Sequence, residues 1–134
     1  MRNLRVVVAT VGLTVLLAAC GNGPPPDTTS TTTATPGPVV GTVVTAPTTV
    51  AAKVIASDKL MFAPETTTVK AGGVVQWSNT GTAPHTITFA DPYGYLSDAT
   101  FPAGKTYAIQ FTVPGKYMYK CTIHPGMMGE IDVT

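Results

Sequence analysis

The chain has 134 residues, a length that fits one folded domain rather than two. Its formal net charge is +1. Without the two arginines of its first five positions, six Lys stand against seven Asp and Glu, a net charge of −1. No basic residues cluster as they do in proteins that bind nucleic acid, so we expect no nucleic-acid partner.

The first residues, 1–19, predict a signal peptide. A positively charged start is followed by an apolar run, 6–19, that is too short to span a bilayer as a permanent helix. Residues 17–20 (Leu-Ala-Ala-Cys) resemble a bacterial lipobox, which implies cleavage before Cys20 and lipidation of its thiol. We therefore expect an exported protein, lipid-anchored to the extracytoplasmic face of a bacterial membrane. The alternatives are an ordinary secretory peptide with an incidental cysteine and a disulfide between Cys20 and Cys121.

The lipidated Cys20 and the residues that follow it, 20–52, predict a disordered linker. Ten of the 32 residues in 21–52 are Thr and six are Pro, and no aromatic residue is present to start a core. Proline stiffens such a segment toward an extended conformation and gives a semi-rigid tether. The valines between positions 39 and 44 could form a short strand, but the surrounding Gly and Pro argue against it.

Residues 53–134 predict one all-β domain. Short runs rich in β-branched and aromatic residues alternate with Gly, Pro and Asn turns, and no window shows helical periodicity. Six to eight strands at this spacing favour a Greek-key β-sandwich, with 91–99 as a long loop. The expected strands are 54–56, 59–62, 66–70, 74–78, 86–90, 107–112, 115–120 and 130–134. The expected core residues are Phe62, Trp77, Ile87, Phe89, Ile109, Phe111, Val113 and Tyr117.

His85 and Cys121 each lie next to a predicted strand, and the second histidine, His124, follows Cys121 by three residues. Cys121 and His124 can reach one ion from a single tight loop, as can Met127, whereas His85 comes from another loop. One thiolate, two imidazoles and a weak axial thioether are the ligands of blue-copper sites, and soft sulfur ligands favour copper over magnesium or calcium. Each residue alone has a simpler explanation, such as packing in the core. Their combination predicts one type 1 copper ion.

The domain resembles the cupredoxins, most closely the amicyanin and plastocyanin group, over nearly all of 54–134. The resemblance implies His85, Cys121 and His124 as copper ligands, with Met127 rather than its neighbour Met128 as the axial ligand. The matching segments are 62–64, 69–72, 75–79, 84–85, 115–117 and 119–133, the last with the ligand loop Cys-Thr-Ile-His-Pro-Gly-Met.

Two positions of this chain depart from the family pattern. Thr86 stands where the family usually has Asn, and Ile123 stands where short ligand loops often have Pro. We expect the backbone N–H of Thr86 to donate to the Cys121 sulfur. In relatives the Asn ties the two ligand loops together, and we expect the Thr86 hydroxyl to offer a weaker tie. We also expect the backbone N–H of Ile123 to donate a second hydrogen bond to this sulfur, which would raise the reduction potential.

The ligand pattern predicts an electron carrier and not an enzyme. Three strong ligands and a weak fourth leave no vacant position for a substrate, and two histidines cannot supply the further copper sites of an oxidase. We expect a membrane-tethered monomer that carries single electrons through a Cu(I)/Cu(II) site and whose redox partners dock near His124. The alternative is a copper carrier or scavenger that delivers copper to exported enzymes.

Overall fold

The structure is a computed structural model that describes residues 38–134. The predicted signal peptide, Cys20 and the first part of the predicted linker lie outside these residues. Within residues 38–134, no helix is long and apolar enough to cross a membrane.

Ten strands make up most of the described residues. They are β1 (Gly41–Val43), β2 (Ala52–Ser57), β3 (Met61–Ala63), β4 (Thr66–Val69), β5 (Val74–Asn79), β6 (His85–Phe89), β7 (Asp98–Phe101), β8 (Thr106–Phe111), β9 (Gly115–Lys120) and β10 (Met128–Val133). One five-stranded sheet has the order β1-β8-β5-β2-β3, and the other has the order β4-β10-β9-β6-β7. A single 3₁₀ turn, Gly94–Leu96, precedes β7.

Alternating burial along the strands explains why the two sheets pack face to face. In β5, Val75, Trp77 and Asn79 are buried, while the residues between them are partly exposed. The buried faces meet in an aromatic core, where the Trp77 ring lies edge-on to Phe89 and Tyr119 at centroid separations of 6.1 and 5.4 Å. The predicted all-β sandwich is confirmed.

Seven of the eight predicted core residues are buried, and Val113 is the exception. Its side chain is 37% exposed because it lies in the turn between β8 and β9. The core also includes buried residues that were not predicted from the sequence: Val40, Val54, Val75, Leu96, Phe101, Tyr119 and Ile131.

The prediction that Gly and Pro exclude a strand near position 40 is wrong. β1 pairs antiparallel with β8, with Gly41 opposite Phe111. The Val40 N–H donates to the Tyr95 hydroxyl at 2.8 Å, and the Val40 side chain is buried. A Cβ on Gly41 would come within 2.8 Å of the Gln110 carbonyl oxygen. Glycine therefore permits this edge strand through close approach of the two backbones.

The predicted loop 91–99 is also wrong at its end, because β7 begins at Asp98. β7 pairs antiparallel with β6, with His85 opposite Phe101 and Ile87 opposite Asp98. Lys105 forms an ion pair with the buried Asp98 carboxylate at 2.7 Å. Pairing with the preceding strand β6, rather than a pattern within residues 98–101 themselves, places these residues in the sheet.

The register of β6 and β9 places the first residue of β6 beside the end of β9. The two strands are antiparallel neighbours, with Thr88 opposite Lys120. His85 therefore lies close to the loop that leaves β9 at Cys121, at one end of the sandwich.

Candidate metal centre

The loop from Cys121 to Met127 joins β9 to β10 and closes on itself. The Cys121 N–H donates to the Met127 carbonyl oxygen at 2.9 Å, and the Met127 N–H donates to the His124 carbonyl oxygen at 3.3 Å. Gly126 has a φ of 83°, and no atom lies within 4 Å of the position a Cβ would take there. Glycine is therefore favoured here because the turn requires a left-handed backbone conformation, and not because a side chain would lack space.

Three donor atoms converge at this end of the sandwich. Nδ1 of His85 lies 3.1 Å from Nδ1 of His124. Sγ of Cys121 lies 4.0 Å from the first nitrogen and 3.4 Å from the second. Cys121 and His85 are buried, and His124 is half-buried. Across residues 38–134, no other three His, Cys, Asp or Glu side chains bring their donor atoms this close together.

The spacing of these atoms fits a single transition-metal ion. Nitrogen and sulfur ligands lie about 2.0–2.3 Å from an ion such as zinc, so two ligand atoms on one ion are at most about 4.6 Å apart. The three separations range from 3.1 to 4.0 Å and meet this limit. One thiolate and two imidazoles favour copper over hard cations. The donors therefore fit copper in both spacing and chemistry.

Thr86 connects the two loops that carry the donors. Its backbone N–H donates to Cys121 Sγ at 3.3 Å, which confirms the prediction from the sequence. Its hydroxyl oxygen accepts a hydrogen bond from the Thr122 N–H at 2.8 Å and lies 3.0 Å from the Thr122 hydroxyl. A threonine at this position thus ties the ligand loops together, as its hydroxyl was expected to do.

The predicted second hydrogen bond to the sulfur is absent from the described residues. The Ile123 N–H makes no hydrogen bond to Cys121 Sγ, and the only backbone N–H that donates to this sulfur among residues 38–134 belongs to Thr86. The Ile123 side chain is half exposed at the tip of the loop. The hydrogen bond predicted for Ile123 is therefore not formed in this structure.

The two neighbouring methionines differ sharply in burial. The Met127 side chain is 1% exposed, whereas the Met128 side chain is 49% exposed. Met128 is the first residue of β10, and successive side chains of a strand point to opposite faces. Only Met127 is enclosed within this end of the sandwich.

His85 is the more enclosed of the two imidazoles. Burial lowers the pKa of His85 below its usual value, the nearby His124 lowers it further, and Asp58 acts in the opposite direction. Its Nε2 is buried without a hydrogen-bond partner among the described residues. The neutral ring is therefore favoured, which is the form that binds a metal.

A family model described as copper binding proteins of the plastocyanin/azurin family matches residues 49–134. The chain belongs to this family. Copper is therefore its cofactor, and the predicted cupredoxin fold and copper chemistry are confirmed. Family membership also supports the expectation that the protein is not an enzyme.

Similar proteins include both relatives named in the sequence-based resemblance. Amicyanin-alpha of Methylorubrum extorquens is 37% identical over 78 residues, covering 56% of this chain and 66% of its own length. A chloroplastic plastocyanin of Tetradesmus obliquus is 38% identical over 88 residues, covering 58% of this chain and 61% of its own length. The chain thus spans slightly less than two thirds of these relatives. A solved structure of a mutant of amicyanin in its Cu(I) form has a TM-score of 0.63 and 28% identity, covering 71% of this chain and 99% of that one.

Two residues that shape this end of the fold were not predicted from the sequence. Asn79 is buried, and its Nδ2 donates to the carbonyl oxygens of Ala83 at 2.9 Å and Phe101 at 3.0 Å. Thr122 supplies the backbone N–H that the Thr86 hydroxyl accepts. For Asn79 a local signal exists, namely an Asn at the end of a predicted strand and before a Gly-containing loop. The partners of Thr122 are too far away in the chain to leave a local pattern.

Proposed function

We propose that this protein carries single electrons by cycling one copper ion between Cu(I) and Cu(II). His85, Cys121 and His124 would hold the ion, and Met127 would supply a weaker sulfur ligand. The observation that carries this proposal is the convergence of one sulfur and two imidazole nitrogens on two loops tied by Thr86. Donors fixed in place by the fold need little rearrangement when the oxidation state changes.

His124 is the proposed route for electrons into and out of the protein. It is half-buried, whereas Cys121, His85 and Met127 are buried, so it is the candidate ligand that reaches the surface. The loop residues on either side of it, Ile123 and Pro125, are exposed and apolar. A small apolar surface of this kind suits brief docking, since weak redox complexes bury little area. Redox partner proteins are therefore expected to dock here on a monomer.

We also propose that the protein is exported and held at the extracytoplasmic face of a membrane by a lipid on Cys20. This residue lies outside the described residues, and the support is the lipobox-like sequence. β1 begins at Gly41, opposite Phe111, the last residue of β8. The first residue of β8 lies at the other end of the sandwich, opposite Ser78 and next to the loop that leads to His85. The chain thus joins the domain at the end opposite the copper donors, which suits a tether.

Fractionation of cells that produce the full chain tests the anchor. The parent protein is expected in the membrane fraction and released by detergent. Cys20→Ser is expected to move the exported domain to the soluble fraction without a change in copper binding. A Cys20→Ser protein that has lost its signal peptide, as its mass shows, and still stays in the membrane fraction would rule out the lipid anchor.

The absorption spectrum of the domain reconstituted with Cu(II) tests the copper site. An intense visible band from thiolate-to-copper charge transfer is expected in the parent and lost in Cys121→Ser, because the thiolate gives the site its colour. A colourless Cu(II) complex of the parent would refute the proposal. Rapid electron self-exchange with copper retained in both states would exclude the copper-carrier alternative. Ready release of copper to an acceptor, without rapid self-exchange, would support that alternative.

A further inference from the structure

The loop between β5 and β6, residues 80–84, leads directly to His85 and Thr86, the residues that approach the Cys121 sulfur. An exposed carboxylate from another part of the chain binds this loop. Asp58 lies just after β2, and its Oδ1 accepts hydrogen bonds from the backbone N–H groups of Thr82 at 2.8 Å and Ala83 at 2.9 Å. Its Oδ2 accepts from the Thr82 hydroxyl at 3.3 Å.

Gly81 makes this contact possible. A Cβ at this position would lie 2.5 Å from Asp58 Oδ1 and 2.7 Å from the Asp58 backbone nitrogen. The two backbone N–H groups donate to a charged oxygen, and such hydrogen bonds are stronger than those to a neutral acceptor. Any larger residue at position 81 would push the carboxylate away from the loop.

Asn79 holds the same loop from its buried side. Its Oδ1 accepts from the Gly81 N–H at 3.0 Å, and its Nδ2 donates to the Ala83 carbonyl oxygen at 2.9 Å. Both backbone polar groups of Ala83 are therefore bound, the N–H by Asp58 and the carbonyl by Asn79. Ala83 precedes His85 by two residues, with Pro84 between them restricting the backbone further.

We propose that Asp58 is a positioning residue for the copper centre: through the Thr82–Ala83 backbone it fixes the places of the His85 ring and of the Thr86 N–H that meets the Cys121 sulfur. The contacts that hold this loop are made entirely by protein atoms, so the fold itself positions this half of the ligand set. A ligand held in this way stays in place in both oxidation states, which keeps electron transfer fast. The inference rests on the proposed copper site, and it adds a residue that does not touch the metal.

Amide hydrogen exchange in the copper-free protein tests the positioning directly. In Asp58→Ala we expect exchange to rise at Thr82 and Ala83, and also at Thr86, by about tenfold or more. Gly81→Ala should give the same result with the Asp58 charge kept, which separates contact from charge. Asp58→Asn keeps one oxygen acceptor and should give a smaller increase in amide exchange. It replaces Asp58→Ala in the experiment if that variant does not fold.

Two matched substitutions control the experiment. Asp91→Ala removes another exposed carboxylate, and Gly94→Ala adds a methyl group where the nearest atom would be 3.8 Å away. Neither should change exchange at Thr86. In the copper-loaded protein, Asp58→Ala and Gly81→Ala should slow electron self-exchange by about tenfold, since a looser ligand rearranges more, and the controls should not.

Faster exchange at Thr82 and Ala83 with unchanged exchange at Thr86 and unchanged self-exchange would overturn the proposal, because Asp58 would then fasten only its own loop. This outcome is distinct from failure of the proposed function. The exchange measurement needs no copper, whereas a parent protein without blue colour would refute the copper site itself.

Discussion

At the scale of single residues, the two adjacent methionines differ in burial, and the buried Met127 is the one proposed as the axial ligand. Met127→Leu is expected to keep the blue band and raise the reduction potential, because the axial donor that favours Cu(II) is removed. A shift of about 59 mV corresponds to a tenfold change in relative affinity for the two states, so a shift of tens of millivolts is readily measured. Met128→Leu is the matched control, since its side chain is exposed. Voltammetry that shows the larger shift in Met128→Leu would reverse the assignment.

The backbone of Ile123 gives a second prediction at this scale. From the sequence alone, Ile123→Pro is expected to lower the potential through loss of an N–H donor to the sulfur. The structure shows only the Thr86 N–H in that role among the described residues. We therefore expect Ile123→Pro to bind copper, stay blue and shift the potential by much less than about 59 mV. A fall of that size or larger in voltammetry would show that the Ile123 N–H reaches the sulfur once copper is bound.

Local patterns explain why the candidate ligands can be found in the sequence. Cys121, His124 and Met127 lie within one short loop, and His85 begins the strand beside it, so residue chemistry and spacing are enough. The Asp58 contact leaves no such pattern, because its partners lie 24 and 25 residues away and any exposed Asp looks alike in a sequence. The geometry around a candidate metal site is thus harder to predict than its donors.

At the scale of elements, β1 shows how distant pairing overrides local propensity. Gly41 and the nearby prolines disfavour a strand locally, yet β8 provides a partner and the core has room for one valine. Val40 is 2% exposed and its neighbour Val39 is 69% exposed. Val40→Ala is expected to destabilise the domain by about 1–2 kcal/mol through lost burial and the remaining cavity.

Urea unfolding of both alanine variants measures this effect. Val39→Ala is the matched control and should change the free energy of unfolding by less than about 0.5 kcal/mol, as exposed substitutions usually do. Equal, small effects for the two would mean that β1 is not part of the cooperative unit, and that the predicted linker extends to residue 52 as the sequence argument supposes.

The contact between the β2–β3 turn and the loop before β6 predicts a dependence of stability on pH. Hydrogen bonds from the Ala83 and Thr82 N–H groups lower the pKa of Asp58 below its usual value of 3.8. The unfolded chain therefore takes up this proton first as pH falls. The resulting stability is present above the unfolded pKa and is lost as pH falls through it toward the lower folded pKa.

A comparison of urea midpoints at neutral and acidic pH isolates this effect. Asp58→Asn should be less stable than the parent at neutral pH, and the difference should shrink below pH 3.8. Asp91→Asn, which removes an exposed carboxylate elsewhere, should run parallel to the parent. A difference between Asp58→Asn and the parent that stays constant across this range would show that the charge of Asp58 does not strengthen the contact.

At the scale of the whole molecule, balanced charge and an apolar docking surface predict weak dependence of electron transfer on salt. Residues 53–134 carry six Lys and six Asp or Glu, so long-range steering has little net charge to act on. The loop that carries the half-buried His124 and the exposed Ile123 has no charged residue between Lys120 and Glu130. The rate of electron self-exchange between two copies is therefore expected to change by much less than about tenfold between low and high ionic strength.

NMR line widths of mixed Cu(I) and Cu(II) samples measure this rate, and Lys120→Ala provides a charge control on the strand that leads to Cys121. A rise of tenfold or more with added salt would mean that like-charged surfaces face each other in the encounter, and that electrons leave by a face other than the one around His124.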